Sequence, residues 1–132
     1  MKCFLFYLIS VGSLNVVPIA AQDTIDFSRD IRPILADHCF TCHGPDAATR
    51  EGGFRLDDPA SALGEADSGE HPIVAGDLST SELVRRIRSA DEGELMPPPE
   101  TKKPLTATQI KLLERWIADG AEWQGHWAFQ KP

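Results

Sequence analysis

Cysteine, methionine and tyrosine are all scarce in this chain: three, two and one in 132 residues. Bases are short as well, 13 Lys and Arg against 20 Asp and Glu, a net charge of −7. The shortage of clustered bases excludes nucleic acid as a partner, because phosphate contacts need Lys and Arg gathered on one face. It equally excludes attachment to an anionic membrane surface through a basic patch. The one long apolar stretch, Phe4 to Leu14, is broken by Gly12 and followed by Asn15 and Pro18. It is too short for a membrane span, which needs about 20 apolar residues. No internal repeat is visible, and no nucleophile with a base, pair of carboxylates or substrate pocket can be argued.

What is present begins with a leader. Met1 to Ala21 hold Lys2 as their only charge, then the apolar run, then small residues at Ala20 and Ala21. That order predicts a secretory signal peptide, removed together with Cys3, and an exported, periplasmic or otherwise extracytoplasmic protein. The mature chain then starts near Gln22 with about 111 residues and carries 12 bases against 20 acids, a net charge of −8. This is one domain, expected over 22–123, with 124–132 as a tail or linker. A core this thin is helped by a metal or cofactor.

The periodicities are those of helices. Phe27, Ile31, Ile34 and Leu35 share one face of a helix over Asp26 to His38; Pro33 places its start near Asp30 or, for a start at Ser28, bends it. Gly44 to Gly76 reads as loop, with a single helical turn at Ala60 to Leu63, and a loop of about thirty residues in a small domain is expected to wrap something. Ser79-Thr80-Ser81-Glu82 fits a capping box opening a helix that buries Leu83, Val84 and Ile87 and ends by Gly93. Glu94 to Pro99 cannot be helical, since three consecutive prolines remove three donors. Thr106 to Asp119 is the clearest helix: Thr106 and Gln109 cap it, Ile110, Leu113, Trp116 and Ile117 form its stripe, Gly120 stops it, and Leu105 precedes it as a staple residue.

The two mature cysteines stand in Cys39-Phe40-Thr41-Cys42-His43. In an oxidising compartment they could pair, but so short a loop constrains little of the unfolded chain. A redox dithiol would want a preceding strand and a βαβ pattern, and a zinc site a second pair of ligands. C-x-x-C-H is instead the attachment pattern of a c-type haem. Two thiols one helical turn apart reach the two vinyl groups of a porphyrin, and the next residue lies beneath the iron as its imidazole ligand.

A six-coordinate iron needs a second axial ligand. Met96 is the only mature methionine, 53 residues after His43 in the proline-stiffened segment. Leu95 is expected to fill the core while Met96 is presented to the metal. His71, before Pro72, is the rival ligand; His38 directly precedes Cys39, cannot reach the distal side, and reads as an exposed or capping histidine. His126 reads as a partner of Trp123 and Trp127 in an aromatic tail. In Gly52-Gly53-Phe54-Arg55-Leu56-Asp57, Arg55 is a candidate partner for a haem propionate, with a surface ion pair to Asp57 or Asp58 as the equal alternative.

Taken together, a short helix, C-x-x-C-H, a long loop, Met-Pro and an amphipathic last helix resemble a small class I cytochrome c, an all-α domain around a covalent haem. The words Phe27-Ser28-Arg29-Asp30-Ile31-Arg32-Pro33-Ile34-Leu35, Gly53-Phe54-Arg55-Leu56-Asp57, Gly76-Asp77 with Ser81-Glu82-Leu83, Leu95-Met96-Pro97-Pro98 and Trp116-Ile117-x-x-Gly120-Ala121 narrow this. Over residues 26–123 the chain resembles the planctomycete-type cytochrome c domain. The resemblance implies one haem c anchored by Cys39 and Cys42 and ligated by His43 and Met96. It also implies an exported carrier of single electrons serving a redox partner protein, one whose surface the acidic charge predicts to be basic. In that family the domain commonly heads a longer exported protein, and His126-Trp127-Ala128-Phe129-Gln130 resembles the lead into the next domain. This chain stops at Pro132, and the unsatisfied apolar tail favours a shortened relative over a free-standing carrier. The alternatives are a haem-based ligand sensor, or redox module of a larger enzyme, and a haem-free interaction module with a Cys39–Cys42 disulfide.

Overall fold

A computed structural model describes residues 24–123; the leader, Cys3, His126 and the tail after Trp123 lie outside the described residues. Regular structure within them is helical, as the periodicities predict, with one isolated antiparallel bridge between Val74 and Asp77. A π-helical turn, Phe27–Ile31, leads into α1, Arg32–His38. There follow α2, Phe40–His43, α3, Pro59–Ala62, and α4, Glu82–Ile87. A 3-10 turn at Pro99–Thr101 precedes α5, Ala107–Ala118. Among the described residues no helix is long and apolar enough to cross a membrane.

The first helix does not start at Asp30. Asp26 caps it, accepting from the Arg29 N–H at 2.8 Å, and the Asp26 N–H donates to Asp30 at 2.9 Å. The wide π turn then brings Pro33 into the first turn of α1, where its missing N–H has no partner to lose. Phe27, Ile31, Ile34 and Leu35 are all buried, so the predicted stripe holds across the change of pitch.

The Ser79 capping box does not form. The first two amides of α4, Glu82 and Leu83, donate to the carbonyls of His71 and Pro72 at 3.1 and 2.9 Å. With those donors taken by a distant strand of loop, a side-chain cap has nothing left to satisfy. Ser79 turns instead to Asp77, whose carboxylate accepts from the Ser79 amide and hydroxyl and from the Thr80 amide. Ser81, 1% exposed, is the residue that precedes the helix, its hydroxyl accepting from the Val74 N–H at 2.9 Å and donating to the Asp77 carbonyl at 2.6 Å. Val84 and Ile87 are buried and Leu83 is half-buried against the core.

α5 matches its sequence reading closely. Thr106 and Gln109 form the reciprocal capping box. At the other end the Ala121 amide reaches the Trp116 carbonyl and the Gly120 amide that of Ile117, a Schellman closure. Gly120, the stop residue, has φ +112°, and Ala121 after it also takes a positive φ, +51°. Leu113, Trp116 and Ile117 are buried, and Ile110 is half-buried beside them. The core gathers these residues with the first helix, Leu56 and Ile73 from the long loop, and Val84 and Ile87. Trp116 sits 5.6 Å from Phe27 and 4.7 Å from Trp123, ring centre to ring centre.

Because Ser81 and not Ser79 serves the α4 entrance, Ser81→Ala should destabilise the protein by about 2 kcal/mol, the cost of orphaning buried backbone groups. Ser79→Ala should stay within about 0.5 kcal/mol, as an exposed hydroxyl does. Denaturant unfolding of the two variants side by side reads the difference.

Candidate haem site

Cys39, Cys42 and His43 are brought together by a single helical turn. The Cys39 carbonyl accepts from the amides of Cys42 at 3.2 Å and His43 at 2.8 Å, so the three side chains follow one another around that turn. Gly44 ends it, extended at φ −118°, and only glycine fits: a Cβ there would stand 2.2 Å from the Phe40 carbonyl oxygen. The chain then loops back, held by Arg50 on the carbonyls of Gly44 and Pro45. It returns alongside the motif, with the Glu51 amide on the Cys42 carbonyl and the Leu56 amide on that of His43.

That return positions the imidazole. His43 Nδ1 stands 3.1 Å from the Glu51 carbonyl, and the ring stacks on Phe54 at 4.3 Å and 13°. A carbonyl partner requires the proton on Nδ1 and leaves the lone pair on Nε2. Burial pushes the His43 pKa down, against the opposing pull of the Glu51 carbonyl, so the neutral ring is favoured. Cys39 and Cys42 are free thiols. Burial, then the neighbouring Cys42, pushes the Cys39 thiol up to about 12.

Met96 is fixed by α4. Its amide donates to the Arg86 carbonyl at 3.2 Å, and Pro97 beside it is buried behind a cis peptide bond. Glu94 reaches both Arg85 at 2.6 Å and Arg86 at 3.2 Å, while Glu82 holds the same two arginines from the other side. Leu95 does not fill the core: it and Met96 are both half-buried and stand apart from the buried cluster. The extended Pro-rich path turns both side chains off the surface that the helices bury.

The remaining candidates are placed as follows. Arg55 forms a two-pronged pair with Asp57 at 3.0 and 2.5 Å, and this partner lowers the Asp57 pKa. His71 is exposed, its Nδ1 3.1 Å from the carbonyls of Leu63 and Gly64. His38 is neither exposed nor a cap. Its side chain is 8% exposed and contacts the Lys103 carbonyl and the Gln109 amide, far along the chain. Nothing in the spacing of His38 signals that contact, and sequence reasoning missed it. A cavity of about 180 Å³ at the end of α5, lined by Thr24, Ile25, Arg115, Trp116, Asp119 and Glu122, contains none of the motif residues. Among the described residues no group of three or more His, Cys, Asp or Glu is placed to hold a metal ion.

A family model described as Planctomycete cytochrome C matches residues 39–100, from the first motif cysteine to just past Met96. The chain carries a planctomycete-type cytochrome c domain. No curated protein and no solved structure matches the chain significantly. A cytochrome c domain implies covalently bound haem and a role in electron transfer. The donor set fits that group: two free thiols one turn apart, then an imidazole whose Nδ1 is committed and whose Nε2 is available. Such a set suits a porphyrin iron better than a bare ion, because it offers one strong nitrogen ligand and two attachment points.

The Glu82 carboxyl is held at about 2 against an ordinary 4.5, chiefly by Arg85 and then Arg86. A depressed acid contributes stability that is present above about pH 4.5 and is lost as the pH falls toward 2. Arg85 is 51% exposed, so solvent screening leaves about 1 kcal/mol. Glu82→Gln should therefore cost about 1 kcal/mol at neutral pH, with the difference from the native protein closing by about pH 2, measured by denaturant unfolding across that range.

Proposed function

We propose that this protein is an exported monohaem c-type cytochrome that carries single electrons with His43 and Met96 as its axial ligands. The observation that carries the reading is the Cys39–His43 turn with the imidazole Nδ1 tied to the Glu51 carbonyl. One C-x-x-C-H in the sequence argues for one haem, and the leader-like Met1 to Ala21 argues for export, where such haem is attached. When bound, haem supplies a reversible one-electron change at its iron. Cys39 and Cys42 anchor it, and the Glu51 carbonyl orients His43 and raises its basicity. Met96, hung between the Arg86 carbonyl and buried Pro97, offers a soft thioether that favours the reduced metal and raises the potential relative to a second imidazole. Held by both His43 and Met96, the haem would exchange an electron with little change of ligands.

The charge supports a basic partner. Between Arg55 and Arg85 there is no Lys or Arg, while seven Asp and Glu fall in that stretch. Glu65, Asp67 and Glu70 are exposed there. The half-buried setting of Met96, outside the core, favours one other reading. In a haem sensor, or the redox module of a larger exported enzyme, a gas or substrate would displace the thioether.

Met96 is the only thioether after the leader, so the sulfur-to-iron charge-transfer band of the oxidised protein has a single source. Protein matured with haem should show this near-infrared band in its optical spectrum. Met96→Ala should abolish the band, open the sixth position to water, and lower the reduction potential. A native protein without the band, turned high-spin by His71→Ala, would make His71 the ligand. An iron indifferent to both changes would be open from the start, as a sensor requires.

Charge steering gives a separate expectation. The rate of electron exchange with a basic partner should fall several-fold from low to physiological salt, as screening removes the long-range attraction. Stopped-flow mixing with a basic redox protein at varied ionic strength reads this, and a flat profile assigns the acids to solubility alone.

A further inference from the structure

Met96 opens a stiff strap. The strap runs through Pro97, Pro98 and the 3-10 turn Pro99–Thr101, where the Thr101 amide and hydroxyl both bond the Pro98 carbonyl at 3.0 and 2.7 Å. Lys102 follows in the left-handed region at φ +55°, its amide on the Pro99 carbonyl, and Lys103 ends the segment. Three prolines and a closed turn in eight residues leave little slack, so a displacement at one end reaches the other. The Met96 end is pinned at the Arg86 carbonyl.

The Lys103 end is gripped by the two residues just before Cys39. Lys103 Nζ bonds the Asp37 carboxylate at 2.8 Å and the Asp37 carbonyl at 3.0 Å. Both side chains are more than half exposed, so this pair holds weakly. His38 is different: its side chain is 8% exposed and both ring nitrogens are engaged. Nδ1 lies 2.9 Å from the Lys103 carbonyl and Nε2 3.2 Å from Gln109 Nε2. The Gln109 oxygen is committed to the Thr106 amide in the α5 capping box, so its NH2 faces the ring. Accordingly His38 Nε2 accepts from Gln109 and Nδ1 donates to Lys103. Asp37 Oδ2 also approaches Nε2, at 3.5 Å, but its carboxylate already serves Lys103.

We infer that His38 is a positioning residue for the distal ligand: it ties the haem-attachment segment to the Met96 strap, and its bond to the Lys103 carbonyl keeps Met96 on the iron. The inference rests on Met96 being that ligand. His38 adjoins Cys39, so the covalent haem anchor and the strap are referenced to one point of backbone, and α5 is registered to the same point through Gln109. Loosening the Lys103 end should let Met96 leave the metal more readily, without removing any group that touches it.

The test uses the oxidised haem-loaded protein, with imidazole as the competitor for the sixth position. His38→Phe should keep the sulfur-to-iron band in buffer while imidazole binds about fivefold to tenfold more tightly, the size expected for one lost buried hydrogen bond. His38→Asn retains an N–H where Nδ1 stood and should restore native imidazole affinity. His38→Gln retains an acceptor for Gln109 but not the donor to Lys103, and should behave like Phe. The Asn and Gln variants decide the matter by themselves if the Phe variant does not mature. Equal imidazole affinity in all three and in the native protein, with the band present, would overturn the role of His38 and leave Met96 as ligand. A native protein without the band, unaffected by Met96→Ala, would overturn both.

Discussion

A helix of four to seven residues has almost no stability of its own, because nucleation costs more than its few hydrogen bonds return. Among the described residues, four of the five α-helices are that short. The fold therefore depends on backbone groups from one segment satisfying those of another. Glu51 and Leu56 amides close on the carbonyls of Cys42 and His43; Glu82 and Leu83 amides close on those of His71 and Pro72; the Gly76 amide closes on that of Ile117. The long loop is thus the part that pairs with everything else, and Leu56 and Ile73 carry it into the core.

The haem site inherits this construction. The His43 imidazole is oriented by a loop carbonyl eight residues away, and the Met96 backbone is held by a helix carbonyl ten residues before it. Neither depends on its own element for orientation. Each of these positions takes one backbone partner from another segment, and a long loop can supply many where the core is thin. Ion pairs from Glu82 and Glu94 to Arg85 and Arg86 bind α4 to the Met96 segment from outside.

What the sequence made legible were the features whose causes are local. The α5 capping box, its stripe and its glycine stop are written within fifteen residues, and each stands where it was expected. The turn read at Ala60–Leu63 forms one residue earlier, at Pro59–Ala62, and the path read as non-helical from Glu94 to Pro99 is so as far as Pro98, with Pro99 opening the 3-10 turn. C-x-x-C-H falls on one helical turn, the local arrangement that its spacing implies. The misplaced features have distant causes. Ser79 loses its cap because carbonyls at residues 71 and 72 reach the helix first. The π turn at Phe27 resolves a conflict between Asp26 and Pro33 that either residue alone does not reveal. His38 was read from its neighbour Cys39, whereas its partners lie 65 and 71 residues on. The sequence around Arg55 fits two partners, and Asp57, two residues on, is the one that it pairs with.

The entrance of α4 has a consequence for how the chain finds its shape. Helical domains are usually quick to fold because their contacts are close in sequence. Here the first amides of α4 wait for carbonyls about eleven residues upstream, and the Gly76 amide waits for one 41 residues downstream. Those closures carry loop entropy that the turns of α5 do not, so the α4 entrance should form after α5. Covalent attachment at Cys39 and Cys42 would fix one end of the longest loop before those closures are made, which turns a cofactor into a folding template.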